Sequence, residues 1–352
     1  DDLAEKMSAT LELLGKKYSA DKSPVVSQLV DILASNTPTY YLAAPTAVQL
    51  AGWVSSLFDF ISARKDEVAV ELLPLSGQGG TLLVTNCIDA PFLVHTVQLC
   101  LNKRHIHFRV VTHPIFRTTR SGKTLSAISS IDGHGESESL VVIELEKAPD
   151  DVLLGLEAEI AEALHDVLVV NQNSEQINAR LQVLTECDQC SQYADFFNWL
   201  GDDNVSLFAY RCLRIQPENN KGDRLIEPED GLAFGLVEKL FLNYQADVRK
   251  ISDFNPRFQE LLLRNEQVGI EVLDRTSPIL RSERLIYIGA RQELSDGSWL
   301  EHGFIGLPSD SALSDQTLNV PTLRKKIEEA LTVLGVPHGS HDYRKIIEIL
   351  NT

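Results

Sequence analysis

The sequence predicts an α+β protein of more than one domain, and three observations carry that reading. Helix-period and strand-period stretches are segregated along the chain rather than alternating throughout. A strand, loop, helix and strand follow one another between Thr81 and Arg120. The 352 residues, 43% of them hydrophobic, suffice for two or three separate cores.

Residues 1–64 read as a helical N-terminal segment in three pieces, divided at Ser23-Pro24 and again at Thr37-Pro38 and Ala44-Pro45. Proline disfavours helix in the residue before it. Leu50, Trp53, Val54, Leu57 and Ile61 give the third piece one apolar face. From Val68 the period becomes that of strands, at Val68 to Leu73, Thr81 to Asn86, Ile106 to Thr112, Val111 to Thr119 and Leu140 to Leu145. Before the helix of the Thr81 to Arg120 unit, Asp89 is placed to cap and Pro91 suits a first-turn position. Leu93, Val94, Val97, Cys100 and Leu101 then form one stripe that must pack on a sheet. The order of these elements, with a helix starting near Pro149, predicts a ferredoxin-like sandwich. The polar stretch Ile131 to Ser137 reads as a surface loop.

Asp150 to Leu200 holds two long helical patterns, broken near Asn171-Gln-Asn-Ser174 with Ser174 capping the second, and forms a helical spacer. A second mixed region begins at Asn204. It contains a strand from Val205 to Ile215, a proline- and charge-rich loop from Gln216 to Asp230, and strands at Gly269 to Leu273 and Arg284 to Gly289. A turn at Ser295-Asp-Gly297 and a strand from Trp299 to Leu307 complete it. Such a mostly antiparallel sheet with short flanking helices is a shape common in PAS-like sensor domains. Leu323, Ile327, Ala330, Leu331 and Leu334 share a helix face stopped by Gly335 and Pro337, and a last helix begins near His341. The expected divisions are 1–64, 65–172, 173–203, 204–318 and 319–352, with no internal repeat.

Thirty-two basic against fifty acidic residues give a formal net charge of −18, a field that repels nucleic acid and anionic membrane. Neither a secretory leader pattern nor an apolar run of spanning length is evident. Five scattered cysteines, Cys87, Cys100, Cys187, Cys190 and Cys212, suit a reducing, cytoplasmic compartment. A first residue Asp1 and a helical pattern reaching Thr352 suggest a piece of something longer.

The motifs that could carry chemistry lack their context. Ser121-Gly-Lys-Thr124 ends like a phosphate-binding loop, but the glycine required five residues before Gly122 is Arg117, so a hairpin turn is expected. Ser76-Gly-Gln-Gly-Gly80 precedes a strand and reads as a turn. Cys187-Asp-Gln-Cys190 has no second ligand pair for zinc, and His105-Ile-His107 no third ligand. Arg104, Arg109, Arg117, Arg120 and Lys123 read as a solvated face. No Gly-x-Ser-x-Gly elbow or HExxH helix occurs. No catalytic, cofactor-binding or metal-binding set is therefore expected in this chain.

Two stretches resemble a known family. Thr81-Leu-Leu-Val-Thr-Asn-Cys-Ile-Asp-Ala-Pro-Phe-Leu-Val-His95, Val110-Val-Thr-His-Pro-Ile-Phe-Arg117 and Glu138-Ser-Leu-Val-Val-Ile-Glu-Leu-Glu146 look like the N-terminal ACT-like domain of the large bacterial NAD-specific glutamate dehydrogenases. Tyr287-Ile-Gly289, Gly303-Phe-Ile-Gly-Leu307, Val320-Pro-Thr-Leu-Arg-Lys-Lys326 and Ser340-His-Asp342 look like the segment that follows in the same family. The resemblance covers most of residues 80–352. It implies a regulatory, non-catalytic region whose parent uses NAD to deaminate L-glutamate oxidatively to 2-oxoglutarate and ammonia. It also implies partners: the parent's own catalytic domain, further copies of the chain and a small-molecule effector, with neither nucleic acid nor membrane.

ACT domains that bind amino acids carry Asp-x-Pro-Gly at the first strand-to-helix turn, where glycine lets ligand and backbone approach. Here the fourth residue is Phe92, as in the large dehydrogenases resembled, so the turn made by Asn86, Cys87, Asp89, Ala90, Pro91 and Phe92 is expected to be a regulatory or interface turn. A free-standing ACT and PAS metabolite sensor and a purely structural assembly region are the alternatives.

Overall fold

The structure, a computed structural model, describes residues 2–75, 80–220, 222–241, 247–314 and 319–350. The glycine-rich turn read at residues 76–80 lies, apart from Gly80, outside the described residues. The chain forms two compact units, Asp1–Leu168 with Pro278–Arg281, and Val169–Ser277 with Ser282–Thr352. It is an α+β protein whose two sheets are antiparallel throughout.

The first unit opens with helices α1 (Asp2–Lys17), α2 (Ser23–Asn36), α3 (Thr39–Ala43) and α4 (Ala47–Ala63). Pro24 sits in the first turn of α2, where its missing N–H costs nothing, and Thr46 with Gln49 forms a capping box on α4. Strands β1 (Val68–Leu75), β2 (Gly80–Ile88), β3 (Phe108–Thr112), β4 (Ile115–Ser121), β5 (Thr124–Ser129) and β6 (Glu136–Leu145) make the sheet. Its order is β1-β2-β6-β4-β5, with β3 also paired to β6. Helix α5 (Leu93–Lys103) joins β2 to β3, and α6 (Asp150–Leu153) precedes α7 (Leu156–Thr185). Leu14, Val26 and Leu29 of the helices share one core with Leu82, Val84, Phe116 and Leu140 of the sheet. A ferredoxin-like unit places the strand after its second helix at the edge beside its first strand. Here β1, which precedes β2 in the chain, holds that edge.

Several elements depart from the sequence reading. Strand β5 is the extended segment implied by the hairpin turn at Ser121 to Thr124, which the sequence left without bounds, and the single strand read from Val111 to Thr119 is broken between β3 and β4 at His113-Pro114. Helix α7 runs unbroken through Asn171 to Ser174. There the Asn173 amide donates to Val169 O and the Ser174 hydroxyl to Asn171 O, both at 2.8 Å, so polar groups read as a break bond back within the helix.

The second unit contains α8 (Ala194–Trp199), β7 (Val205–Ile215), β8 (Leu225–Gly235), α9 (Val237–Leu240), β9 (Arg249–Lys250) and α10 (Pro256–Leu262). Strands β10 (Val268–Thr276), β11 (Arg284–Glu293) and β12 (Trp299–Pro308) follow, then α11 (Asp310–Ser314), α12 (Pro321–Val333) and α13 (His341–Leu350). The sheet order is β10-β11-β12-β7-β8-β9. One face packs Tyr210, Ile288 and Phe304 with Ile177, Leu181 and Phe196, and the other packs Leu213, Ile215 and Trp299 with Ile251, Phe254 and Leu262. The loop read from Gln216 to Asp230 is shorter than expected, because β8 begins at Leu225 and pairs with β7 across a bulge beside Pro228. Among the described residues no helix is long and apolar enough to cross a membrane.

Candidate functional site

In the turn singled out by the sequence, β2 delivers Asn86 and Cys87 to opposite faces of the sheet, opposite Leu140 and Ser139 of β6. The Asn86 amide donates to Glu138 Oε2 and to Ser139 O, both at 3.1 Å. Cys87 is buried, and burial pushes its thiol up to about 12 against the pull of Arg64, with Asp89 and Glu138 adding to the rise. It is a packed thiol, not a nucleophile. Asp89 and Ala90 are half-buried, and Pro91 is exposed.

Asp89 does not cap the helix. Its own N–H donates to Ser137 O at 2.9 Å, and α5 begins only at Leu93, with Phe92 as an N-cap that makes no side-chain cap bond. Phe92 stands at φ 76°, the left-handed region that favours glycine. The ring thus occupies the position of the Asp-x-Pro-Gly glycine while its backbone keeps the glycine conformation. Close beside the turn, His113 Nε2 lies 2.6 Å from Ser139 Oγ, and burial holds the imidazole below its usual pKa although Asp89 works the other way.

Sequence reasoning missed the centre of charge under this turn. Glu138 is fully buried and accepts from Arg64 Nη2 at 2.5 Å, Arg120 Nε at 2.8 Å and Thr118 Oγ1 at 2.7 Å. Arg120 also donates to Ile61 O at 3.0 Å, which ties the end of α4 to the sheet. Burial alone would raise the Glu138 pKa, but the hydrogen bonds from Arg120 and Thr118 and the two guanidinium charges outweigh it, and the carboxyl lies below its ordinary value. The basic residues expected on a solvated face are therefore largely engaged. Besides Arg120, Arg104 pairs with Glu159 at 2.7 Å and donates to Val152 O and Leu154 O, Arg109 meets Glu144 at 3.4 Å, and Arg117 donates to Ile131 O and Gly135 O.

A second buried ion pair lies in the second unit. Arg264 donates to Glu301 through Nη1 at 2.8 Å and Nη2 at 3.1 Å, and the Tyr287 hydroxyl donates to Glu301 Oε1 at 2.8 Å. Here burial outweighs the charges of Arg264 and Arg291 and the hydrogen bonds from Arg264 and Tyr287, and the Glu301 pKa is raised. Room for these side chains comes from Gly269, Gly289 and Gly303, which stand in register across β10, β11 and β12. A β-carbon on Gly269 would lie 2.6 Å from Arg264, and one on Gly303 2.9 Å from the Tyr287 ring.

The other motifs resolve into structure. Gly122, at φ 61°, turns the hairpin between β4 and β5, as expected of Ser121 to Thr124. His105 and His107 are exposed and precede β3. Cys187 and Cys190 are free thiols at a 3-10 turn rather than within an α-helix, and burial pushes Cys190 up to about 12. Among the described residues no group of three or more His, Cys, Asp or Glu could hold a metal ion.

Comparison with known proteins agrees with this architecture. Residues 29–160 match the glutamate dehydrogenase ACT1 domain, and residues 320–352 match glutamate dehydrogenase helical motif 1. The first match begins within α2 and so takes in helices as well as the sheet. The NAD-specific glutamate dehydrogenase of Halomonas elongata is 21% identical over 363 residues, covering 96% of this chain and 22% of that protein. That of Mycobacterium tuberculosis is 23% identical over 276 residues, covering 74% of this chain and 16% of that protein. That of Pseudomonas aeruginosa is 23% identical over 280 residues, covering 74% and 17%. The chain thus spans between 16% and 22% of the length of these relatives. It is similar to the NAD-specific glutamate dehydrogenases and matches the models of their ACT1 domain and helical motif 1.

Proposed function

We propose that this chain is a non-catalytic regulatory and oligomerisation region of an NAD-dependent glutamate dehydrogenase, the parent of which deaminates L-glutamate oxidatively to 2-oxoglutarate and ammonia in the cytoplasm. The observation that carries the reading is the ACT1 match over residues 29–160, laid on a sheet whose ligand turn is filled by Phe92. With a phenyl ring where an amino-acid ligand would approach, the turn serves packing or an interface between copies. NAD belongs to the parent's catalytic part, which is a partner of this chain. The second unit reads as PAS-like. Its first strand β7 pairs with its last, β12, and β8 lies outside it, while helices α9 and α10 intervene before β10. That order supports a sensor module.

The test is enzymatic. The purified chain should form no NADH from L-glutamate and NAD, whereas deleting the corresponding region from a complete dehydrogenase should change its oligomeric mass or effector response. Glutamate turnover by the chain alone would refute the proposal. A second reading, a free-standing metabolite sensor, is favoured by a cleft in the second unit. It predicts thermal stabilisation by a metabolite in a protein shown to be a complete gene product.

A further inference from the structure

The five cysteines differ in access. Cys87, Cys100, Cys190 and Cys212 are buried, whereas Cys187 is half-buried, so an oxidant in solution meets it first. Cys187 follows the end of α7 and is the N-cap of the 3-10 turn Asp188–Tyr193. The Cys190 N–H donates to Cys187 O at 2.9 Å, one turn back. In a 3-10 turn, residues three apart stand one above the other, about 6 Å apart along the axis. A disulfide spans Cα atoms ~4.4 to 6.8 Å apart, so this backbone holds the two cysteines at bridging distance. Their side chains meet as well, for Cys187 is a hydrogen-bond neighbour of the Cys190 thiol.

The turn that carries the pair is anchored to its surroundings. Gln267 Nε2 donates to Cys190 Sγ at 3.7 Å, and Gln192 Nε2 donates to Gln267 Oε1 at 3.2 Å. Gln189 Nε2 donates to Glu293 O at 3.0 Å and Gln189 Oε1 accepts from the Glu293 N–H at 2.8 Å, which ties the turn to β11. Burial, followed by the charge and hydrogen bond of Cys187, pushes the Cys190 thiol up to about 12. Cys190 is thus a poor first nucleophile and stays protonated until Cys187 has reacted. Capture of Cys187 removes two of those three contributions and leaves burial. The order of reaction follows: Cys187 first, Cys190 second.

We propose that Cys187 and Cys190 form a thiol–disulfide exchange site whose oxidant is a low-molecular-weight disulfide of the glutathione kind. Cys187, its proton lost to water, attacks one sulfur of the oxidant, forms a mixed disulfide and expels one thiolate, which is protonated. Cys190 then gives its proton to water and attacks Cys187 Sγ, breaking the mixed disulfide and expelling the second thiolate, protonated in turn. Two protein thiols are oxidised to one disulfide, and the small disulfide is reduced to two thiols. In a reducing compartment such a bridge is transient and senses redox state instead of holding the fold. This goes beyond the dehydrogenase reading and does not depend on it, since no catalytic activity enters the measurement.

Incubating the folded 352-residue chain with oxidised glutathione should remove two hydrogens from the tryptic peptide Leu181–Arg211, which holds both cysteines, and dithiothreitol should restore them. Cys87, Cys100 and Cys212 should stay reduced. Cys190→Ala should stop at a glutathione adduct on Cys187. In Cys187→Ser the adduct on Cys190 should form at least tenfold more slowly than that one. A peptide that stays fully reduced in the folded chain, a folded Cys190→Ala chain that takes up no glutathione, or equal rates of adduct formation in the two variants would overturn the proposal.

Discussion

Gly289 and Glu301 stand so close on neighbouring strands that a β-carbon on the glycine would come within 2.2 Å of Glu301 Oε1. That oxygen cannot move aside freely, because Arg264 and Tyr287 both hold it and the residue is 1% exposed. Displacing it would leave the Arg264 guanidinium buried and poorly paired. Gly289→Ala should therefore cost the second unit about 3 kcal/mol. Amide exchange in β11 and β12 should accelerate accordingly while exchange in β2 and β6 stays unchanged. Exchange in β11 like that of the unsubstituted chain would remove this account of the glycine row.

Phe92 pays a backbone cost for its φ of 76°. Replacing it by alanine and by glycine separates that cost from the ring, since both substitutions delete the same phenyl group. In an ordinary loop alanine is the more stable of the two by several tenths of a kcal/mol, through the entropy of the unfolded chain. Here the order should invert, with Phe92→Gly more stable than Phe92→Ala by about 1 kcal/mol. Thermal unfolding of the two variants decides it, and an alanine variant that melts higher would contradict the strained turn.

The strand from Val205 to Ile215 is legible in the sequence to the residue, because apolar side chains mark it and polar segments bound it. Strand β8 is not, for Glu227, Pro228, Glu229 and Asp230 carry every sign of a loop and become a strand only by pairing with β7. The Glu138 cluster escapes for a related reason. Its arginines lie 74 and 18 residues away, and charges alternating along a strand point to solvent unless another element covers them. The turn at Asp89 to Phe92 is legible as a turn, but its cap is not. Asp89 has the chemistry of a cap while its position along the chain leaves the helix to start at Leu93.

Glu138→Gln would remove the carboxylate charge shared by Arg64 and Arg120, leaving two largely buried guanidiniums. The first unit should lose about 3 to 5 kcal/mol. The same site sets an acid limit. Because the folded Glu138 pKa lies below the unfolded one, its stabilisation is complete above the ordinary carboxylate range and fades as pH falls through the folded value. Denaturant unfolding of the first unit should thus show Glu138→Gln losing its deficit relative to the unsubstituted chain only at strongly acidic pH. A deficit that disappears already at pH 6 would rule out this assignment.

His302 sets a different limit, nearer neutrality, in the second unit. It is 4% exposed, with Nδ1 2.9 Å from the Tyr210 hydroxyl and Nε2 3.3 Å from Gln292 Oε1. A neutral ring accepting at Nδ1 and donating at Nε2 satisfies both neighbours. Burial, reinforced by Arg180 and opposed by Glu229, pushes its pKa down to about 4. An unfolded histidine takes up its proton near pH ~6.5. The stabilisation from the neutral ring is therefore present above that pH and is lost as pH falls from there to the folded value, to the extent of about 3 kcal/mol. Glu301 acts in the opposite sense. Its raised pKa makes the folded state take up a proton more readily, so the wild-type slope is the difference of the two effects. His302→Gln removes one of them and leaves the other. Urea unfolding of the second unit at pH 7, 6 and 5 should show the substituted chain losing less stability on acidification than the unsubstituted one, and parallel losses would exclude His302 as the titrating group.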